Sequence, residues 1–174
     1  MYLNIYLDVD DTLADFQVHC RANGVPPWEG TWYTNHPSTW TPEQAAIDAH
    51  VVELMNSDSF WPNIPVKPGA FELISVAALR ATTHLLTAYP KVCDDVASVT
   101  AQKLEYCKRV LHFPEDRIHV VARADKIKFA TGKNAILVDD AERNCAEWEE
   151  AGGTAILFTT IDAAVRDLRA LGRA

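Results

Sequence analysis

The stretch Tyr6-Leu-Asp-Val-Asp-Asp-Thr-Leu13 places three aspartates and a threonine at the end of a short apolar run. Residues 2–8 are predicted to form a buried strand, because a short and nearly continuous apolar run is typical of a strand covered on both faces. We expect the chain to turn directly after this strand and to bring Asp8 and Asp10 into one site. The sequence therefore predicts an acidic site at the carboxyl end of the first strand.

Strand-like and helical segments alternate along most of the remaining chain. From residue 70 onward, helical periodicity and short apolar segments follow one another in turn. This alternation is typical of an α/β fold with a Rossmann-like core, in which helices cover both faces of a parallel sheet. The later predicted strands are 84–88, 118–121, 135–138 and 155–158. The predicted helices are 14–24, 42–55, 70–81, 95–111, 141–151 and 162–171, with a further short helix beginning near Asp125.

A stretch of unusual composition separates the first strand and helix from this alternation. Residues 25–68 contain seven of the nine prolines and four of the five tryptophans. Within it, Thr41-Pro-Glu-Gln44 has the pattern of a capping box with proline at the first helical position, which predicts the start of a helix. We expect residues 25–68 to form a small cap that is inserted into a single domain spanning residues 1–174.

Composition and charge exclude several classes of function. The chain has 174 residues, of which 48% are hydrophobic and 23% charged, as expected for one globular domain with its own core. Its net charge of −8 repels nucleic-acid backbones, so no nucleic-acid polymer is expected as a partner. No apolar run reaches the roughly 20 residues of a membrane span, and a basic signal segment is absent from the N-terminus. We therefore expect a cytoplasmic protein that does not associate with membranes, with its oligomeric state left open between monomer and homodimer.

Polar residues follow the predicted strands at their carboxyl ends, which is the edge where parallel sheets bind ligands. Thr87 ends the second strand, and Asp139 and Asp140 end the fourth. Lys126 and Lys128 lie between the third and fourth strands. A hydroxyl group, a lysine and several carboxylates are therefore expected to meet at one edge of the sheet.

The acidic residues at this edge predict a metal ion. Aspartates that lie close together repel one another unless a cation lies among them, and oxygen ligands beside a phosphate group favour Mg²⁺. We expect Asp8, an oxygen of Asp10, and one or both of Asp139 and Asp140 to bind it. The cysteines and histidines do not show the spacing of a zinc site, so a second kind of metal site is not expected.

This order of motifs resembles the haloacid dehalogenase-like (HAD) superfamily of Mg²⁺-dependent phosphohydrolases, over essentially the whole chain. The first motif is matched by residues 6–13, the second by Leu85-Leu-Thr87 and the fourth by Ile136-Leu-Val-Asp-Asp140. Within that superfamily, the chain is similar to the 5′(3′)-deoxyribonucleotidases and their phage and bacterial relatives. The stretches that carry this second likeness are Asp8–Phe16, Phe60-Trp61, Lys67–Ala70, Leu86–Pro90, Leu137–Asp140 and Asn144–Gly153.

The resemblance implies a role for each matching residue. Asp8 would attack phosphorus and form an aspartyl-phosphate, while Asp10 would act as general acid and then as general base. Thr87 and a lysine would bind the phosphoryl oxygens. Lys126 is favoured over Lys128 because it lies near the start of the predicted short helix, from which its side chain can reach the edge of the sheet.

The resemblance also implies the substrate, which is a deoxynucleoside monophosphate. Aromatic residues of the predicted cap offer flat surfaces on which a base can stack. Phe60 and Trp61 are the first candidates for this contact, followed by Trp32 and Tyr33, although about half of the rings are expected to fill the core of the cap. The alternatives are another small phosphate ester beneath a lid that only excludes water, or a phospho-accepting signalling or binding module. The lack of an aspartate at the tip of the third strand disfavours the signalling module.

Overall fold

The computed structural model describes residues 3–27 and 40–171. Trp32 and Tyr33, two of the predicted substrate contacts, lie outside the described residues. The strands of the described part are β1 (Asn4–Leu7), β2 (Thr82–Tyr89), β3 (Ile118–Ala122), β4 (Ala135–Asp139) and β5 (Thr154–Leu157). Its α-helices are α1 (Phe16–Ala22), α2 (Pro42–Met55), α3 (Ala70–Ala78), α4 (Val96–Arg109), α5 (Glu142–Glu150) and α6 (Ile161–Ala170), and its 3₁₀ helices are Trp61–Asn63, Glu115–Arg117 and Arg123–Phe129. Among these helices, none has the length and apolarity that a membrane span requires.

The five strands form one parallel sheet in the order β3-β2-β1-β4-β5. β1 is the central strand, and its Leu7 lies beside Leu85 of β2 and Val138 of β4. The direction of the strand order reverses between β1 and β4, which makes a topological switch point of the kind where α/β proteins bind ligands. The residues that follow β1, β2 and β4 therefore meet at one edge of the sheet.

Alternate residues of the central strand pack on opposite faces of the sheet. Ile5 and Leu7 are fully buried in a core that they share with α3, α4 and α6. Tyr6 packs on the other face against Trp148 of α5, with 5.4 Å between the ring centroids. Helices therefore cover both faces of the sheet, and the predicted α/β fold is confirmed.

The stretch predicted as a cap contains α2 and the 3₁₀ helix Trp61–Asn63 within its described part. At the start of α2, the backbone N–H of Gln44 donates to Thr41 Oγ1 at 3.2 Å, and the backbone N–H of Thr41 donates to Gln44 Oε1 at 2.8 Å. The proline in the first turn loses no hydrogen bond, because the first N–H groups of a helix have no partner within it. The start of this helix is confirmed, while its action as a cap stays a prediction.

The short helix predicted near Asp125 is the 3₁₀ helix Arg123–Phe129, which joins β3 to β4. Its first residue anchors it, since the guanidinium group of Arg123 donates to Glu147 Oε2 of α5 at 2.8 Å. This contact holds the segment that carries Lys126 against α5.

The turn from α5 to β5 requires glycine at two positions. Gly152 has a φ of +95°, in the left-handed region that glycine adopts without strain. A Cβ atom added at Gly153 would lie 2.2 Å from Nε1 of Trp148, so the backbone approaches the indole too closely for any side chain. Trp148 Nε1 in turn donates to the carbonyl oxygen of Ala135 at 3.1 Å, which ties this turn to β4.

Candidate active site

The chain turns sharply at the end of β1. Asp8 is still hydrogen-bonded to the sheet, since its N–H donates to the carbonyl oxygen of Val138 at 2.9 Å. The carbonyl oxygen of Val9 then accepts hydrogen bonds from the N–H groups of Leu13 and Ala14, at 2.9 and 2.8 Å. These bonds close a loop directly after Asp8, as the sequence predicted.

Asp11, the third aspartate of this loop, supports helix α1. Its φ of +56° is uncommon for a residue other than glycine. Its carboxylate accepts a hydrogen bond from the backbone N–H of Gln17 at 3.1 Å, in the first turn of α1. An acidic side chain is favoured there, because the N-terminal end of a helix carries partial positive charge.

Three carboxylates from the ends of β1 and β4 come together. Oxygen atoms of Asp8, Asp139 and Asp140 lie within 4.8 Å of one another and form the carboxylate cluster. Asp139 is fully buried, and its Oδ1 accepts hydrogen bonds from the Ala141 N–H at 3.0 Å and from Asn144 Nδ2 at 2.9 Å. An all-oxygen donor set of this kind suits a hard cation such as Mg²⁺.

Lys126 lies between two members of the carboxylate cluster. Its Nζ atom donates to Asp8 Oδ1 at 2.6 Å and to Asp139 Oδ2 at 2.7 Å, and the residue is 4% exposed. Lys128, the alternative left open by the sequence, is exposed and pairs with Asp125 at 2.8 Å. The structure therefore brings Lys126, and not Lys128, to the carboxylate cluster.

Burial and mutual repulsion change the proton affinities of these groups. Burial raises the pKa of Asp8 well above its usual value, although Lys126 acts in the opposite direction. Burial, together with the neighbouring Asp139 carboxylate, raises the pKa of Asp140 to about 7. Burial alone would lower the pKa of Lys126, but the charges of Asp139 and Asp8 outweigh it and raise that pKa. One ammonium group among three carboxylates leaves excess negative charge, which a divalent cation would compensate.

Asp10 has different partners from Asp8. Its Oδ2 atom accepts a hydrogen bond from Thr87 Oγ1 at 3.4 Å and contacts Lys103 Nζ. Thr87 is fully buried on β2, and Lys103 is 3% exposed on α4. The Oδ2 atom of Asp10 is therefore held beside the carboxylate cluster by other partners, and the metal contact expected for an oxygen of Asp10 stays a prediction.

Comparison with known proteins identifies the fold. No protein-family model and no curated protein matches the chain. Among solved structures, a haloacid dehalogenase-like family hydrolase from Xanthomonas campestris is 13% identical, with a TM-score of 0.60 over 98% of this chain and 91% of that one. A HAD-superfamily hydrolase from Ehrlichia chaffeensis is 15% identical, with a TM-score of 0.54 over 98% of each chain. A HAD-hydrolase from Bacillus subtilis bound to magnesium is 13% identical, with a TM-score of 0.51 over 90% of this chain and 86% of that one. The chain shares the HAD-like fold of these proteins.

The HAD-like fold brings together residues that are far apart in the sequence. Asp8 directly follows β1, Thr87 lies near the end of β2, Lys126 follows β3 and Asp139 ends β4. Because the strands are parallel and adjacent, their carboxyl ends lie along one edge. The meeting of these four residues was expected from their positions at the ends of the predicted strands.

Phe60 and Trp61, the first candidates for contact with a base, lie in the core. Each is 2% exposed. Phe60 packs edge-on against Phe16 of α1, with 5.5 Å between the ring centroids, and Trp61 Nε1 donates to the carbonyl oxygen of Met55 at 3.0 Å. The prediction that these two rings stack on a base is therefore wrong, because the inserted stretch uses them to fill a core.

Lys103 is a residue of the site that the sequence motifs did not indicate. The buried residues of α4 are Val99, Lys103, Tyr106 and Cys107, a spacing that places them on one face of the helix. A lysine within an otherwise buried helical stripe is the signal that could have identified it, because a buried ammonium group requires a partner. Asn144 begins a stretch that resembles the deoxyribonucleotidases, but its contact with Asp139 was not predicted.

Proposed function

We propose that this chain is a Mg²⁺-dependent phosphohydrolase that removes the phosphate group from small phosphate monoesters through an aspartyl-phosphate on Asp8. The observation that carries the proposal is the carboxylate cluster with the buried Lys126 between Asp8 and Asp139. The HAD-like fold supports it, as does the magnesium bound by the Bacillus subtilis hydrolase of this fold. Phosphoryl transfer requires mainly positioning and neutralisation of charge, which such a cluster can supply.

The residues present fit a magnesium ion. The donors are carboxylate oxygens from two adjacent strand ends, and the raised pKa of Asp140 reflects the burial and crowding of negative charge. Asp8, Asp139 and Asp140 would hold the ion, with an oxygen of Asp10 as a further ligand. When bound, the ion would offset the repulsion between the Asp8 carboxylate and the anionic phosphate ester.

Asp8 would act as the nucleophile. One of its carboxylate oxygens attacks phosphorus, the bond between phosphorus and the leaving oxygen breaks, and the phosphoryl group is transferred to Asp8. Asp10 gives a proton to the leaving oxygen, which departs as an alcohol. In the second step, Asp10 takes a proton from water while the water oxygen attacks phosphorus. Inorganic phosphate leaves, and the Asp8 carboxylate is restored.

Lys126 and Thr87 would bind the phosphoryl oxygens. The ammonium group of Lys126 lies 2.6 Å from Asp8 Oδ1, so a phosphoryl group bound to that carboxylate would come within its reach. The Thr87 hydroxyl lies near the carboxyl end of β2, beside Asp10. These two side chains would supply a positive charge and a hydrogen-bond donor, which the phosphate charge requires.

We propose a deoxynucleoside monophosphate as the substrate, with another small phosphate ester as the alternative. What supports a nucleotide is the likeness of several sequence stretches to the deoxyribonucleotidases. Trp32 and Tyr33 stay the predicted stacking rings, since burial removes Phe60 and Trp61 from that role. A lid that only excludes water would instead accept several esters of similar size.

A panel of substrates tests both the phosphohydrolase activity and the choice of a deoxynucleotide as substrate. Phosphate release is measured with Mg²⁺ for nucleoside 5′- and 3′-monophosphates with either sugar, and for sugar and glycerol phosphates. The Asp8→Asn variant provides the background from contaminating phosphatases. We expect the highest kcat/KM for a deoxynucleotide. A higher kcat/KM for a sugar phosphate would contradict the nucleotide assignment alone, whereas no release above the Asp8→Asn background from any ester would contradict the phosphohydrolase as well.

A further inference from the structure

A buried lysine on helix α4 contacts Asp10. Lys103 Nζ contacts Asp10 Oδ2, and the side chain of Lys103 is 3% exposed. Burying an ammonium group is costly unless a partner compensates its charge. Among the ion pairs of residues 3–27 and 40–171, Asp10 is the carboxylate that does so for Lys103. The ammonium end of this contact therefore lies in the interior of the fold, whereas the side chain of Asp10 is 20% exposed.

An aromatic ring fixes the position of this ammonium group. Lys103 Nζ lies 4.0 Å from the centre of the Trp61 ring, within the range of a cation–π interaction. Trp61 is itself held by the hydrogen bond from its Nε1 to the carbonyl oxygen of Met55. The ring that the sequence suggested as a platform for a base thus has a face occupied by Lys103.

The space around Lys103 is too small for a substrate. A cavity lined by residues that include Asp10, Trp61, Lys103 and Tyr106 has a volume of about 10 Å³. This corresponds to roughly one water molecule and excludes a phosphate group. Among the ion pairs in the part of the chain that the structure describes, the contact of Lys103 with the site is the one with Asp10.

Within residues 3–27 and 40–171, the side-chain hydrogen bonds of the Asp10 carboxylate are made by one of its two oxygens. Oδ2 accepts the hydrogen bond from Thr87 Oγ1 and contacts Lys103 Nζ, whereas Oδ1 makes neither contact. The Thr87 hydroxyl has a single proton, which in the proposed reaction turns to a phosphoryl oxygen. Lys103 is then the donor that continues to restrict rotation of the carboxylate through Oδ2 and leaves Oδ1 available for proton exchange. A general acid or base must lie within hydrogen-bonding reach of the atom with which it exchanges a proton.

We propose that Lys103 is a positioning residue for Asp10: its ammonium group fixes Oδ2, so that Oδ1 meets the leaving oxygen of the substrate in one orientation. The inference rests on the proposed function, in which Asp10 exchanges protons with the substrate and with water. Trp61 contributes by holding the ammonium group in place. Because a misplacement of about 1 Å can cost roughly 10²-fold in rate, a residue that touches no substrate can still control the rate.

Lys103→Met tests this role, because methionine fills much of the same space without the charge. Lys108→Met is the matched control, since Lys108 lies on the same helix but its side chain is 38% exposed and pairs with Glu115 at 2.7 Å. kcat/KM is measured for the best alkyl phosphate of the substrate panel and for nitrophenyl phosphate, whose leaving group needs little protonation. We expect Lys103→Met to lower kcat/KM for the alkyl ester by about 10²-fold. The loss for nitrophenyl phosphate should be much smaller, and Lys108→Met should match the wild type.

A double variant separates positioning from phosphate binding and from stability. Because Lys103 acts through Asp10, the variant that combines Asp10→Asn with Lys103→Met should be no slower than Asp10→Asn alone. Equal losses on the two esters would overturn the inference, since a lysine that binds phosphate or supports the fold affects both. A further loss in the double variant, or no loss in Lys103→Met, would overturn it as well.

Crystal structures of the wild type and of Lys103→Met give a readout that does not depend on turnover. We expect one conformer of Asp10 in the wild type and a rotated or multiple conformer in the variant. An unchanged Asp10 conformer would overturn the inference, even in an active enzyme. If the wild type hydrolyses no phosphate ester, the proposed function fails, and the two structures still decide whether Lys103 positions Asp10.

Discussion

Asp8 and Asp10 lie two residues apart at the end of β1, and each contacts a different lysine. Lys126 contacts Asp8 within the carboxylate cluster, and Lys103 contacts Asp10 beside it. Two carboxylates in different environments can take different roles in one reaction. This difference in partners supports the proposed division, in which Asp8 attacks phosphorus and Asp10 exchanges protons.

Replacing Lys126 tests whether this buried lysine serves the reaction. Lys126→Met leaves Asp8 and Asp139 without their ammonium partner and removes a positive charge from the site of phosphoryl transfer. We expect kcat for phosphate release to fall by roughly 10²–10³, the usual loss for one electrostatic group of an active site. Lys128→Met is the control, because Lys128 is exposed, and it should retain wild-type kcat. Equal kcat values for the two variants would contradict the role of Lys126.

Replacing Asp10 tests the proposed exchange of protons. Asp10→Asn preserves the shape of the side chain but removes its ability to act as an acid or base. We expect kcat to fall by roughly 10²–10⁴ for alkyl phosphates. The loss in kcat/KM should shrink across a series of esters as the leaving group becomes more acidic. The same loss for every ester would indicate that Asp10 has a structural role.

The elements that carry the site differ in how well the sequence predicts them. Apolar runs that end in polar residues mark β1, β2 and β4, because buried parallel strands have this pattern. The sequence could therefore locate Asp8, Thr87 and Asp139 at one edge of the sheet. Lys103 was not predicted, because its partner Asp10 is 93 residues away along the chain and the contact depends on how α4 packs on the sheet.

The turn between α5 and β5 provides a test of packing at the level of elements. Gly153→Ala places a Cβ atom 2.2 Å from Nε1 of Trp148, a fully buried side chain that is hydrogen-bonded to Ala135. We expect the free energy of unfolding in urea to fall by about 1–3 kcal/mol, the usual cost of overpacking a core. In a Trp148→Phe background, the smaller ring should relieve the clash and reduce that cost. A loss of the same size in both backgrounds would show that the indole is not its source.

The pKa values of two histidines, one on β2 and one on β3, affect how the free energy of unfolding depends on pH. His84 Nδ1 lies 3.1 Å from His119 Nε2, and burial lowers the pKa of both rings. With a lowered pKa in the folded state, the unfolded chain binds protons first as the pH falls. The stability contributed by the neutral rings is therefore lost as the pH falls from about 6.5, the ordinary pKa of histidine, toward the folded value.

The pH dependence is measured by comparing the wild type with His84→Phe. The variant keeps an aromatic ring against Tyr6, which stacks on His84 with 5.0 Å between centroids. As the pH is lowered from about 7.5 to about 5.5, the range in which histidine titrates, we expect the free energy of unfolding to fall less for His84→Phe than for the wild type. Asp140, whose raised pKa acts in the opposite direction, is present in both proteins, so the comparison isolates the histidine. An identical pH dependence would contradict the prediction.

Across the whole molecule, the alternation of strands and helices predicted the fold, and the composition of the inserted stretch did not predict its role. Strands and helices have distinct periods, so their order can be inferred from apolar residues alone. Aromatic residues fill cores as readily as they form binding surfaces, and composition does not distinguish the two. A base-stacking role was expected for Phe60 and Trp61, but each is 2% exposed and fills the core.

The charge of the whole molecule makes the proposed reaction depend on a cation. The chain carries a net charge of −8, and the carboxylate cluster adds a local concentration of negative charge at the edge of the sheet. A phosphate ester is itself an anion and is repelled by both. A hard divalent cation held by oxygen ligands removes this repulsion where the phosphate must bind.

Phosphate release with and without Mg²⁺ tests the central claim most directly. The protein is stripped of metal with EDTA and assayed on the best phosphate monoester before and after Mg²⁺ is restored, with Asp8→Asn in parallel. We expect no release in the chelator, full recovery with Mg²⁺, and no release by Asp8→Asn in either condition. Full activity in the chelator would contradict the magnesium site. Retention by Asp8→Asn of about a tenth of the wild-type kcat, which corresponds to about 1.4 kcal/mol of barrier, would contradict Asp8 as the nucleophile.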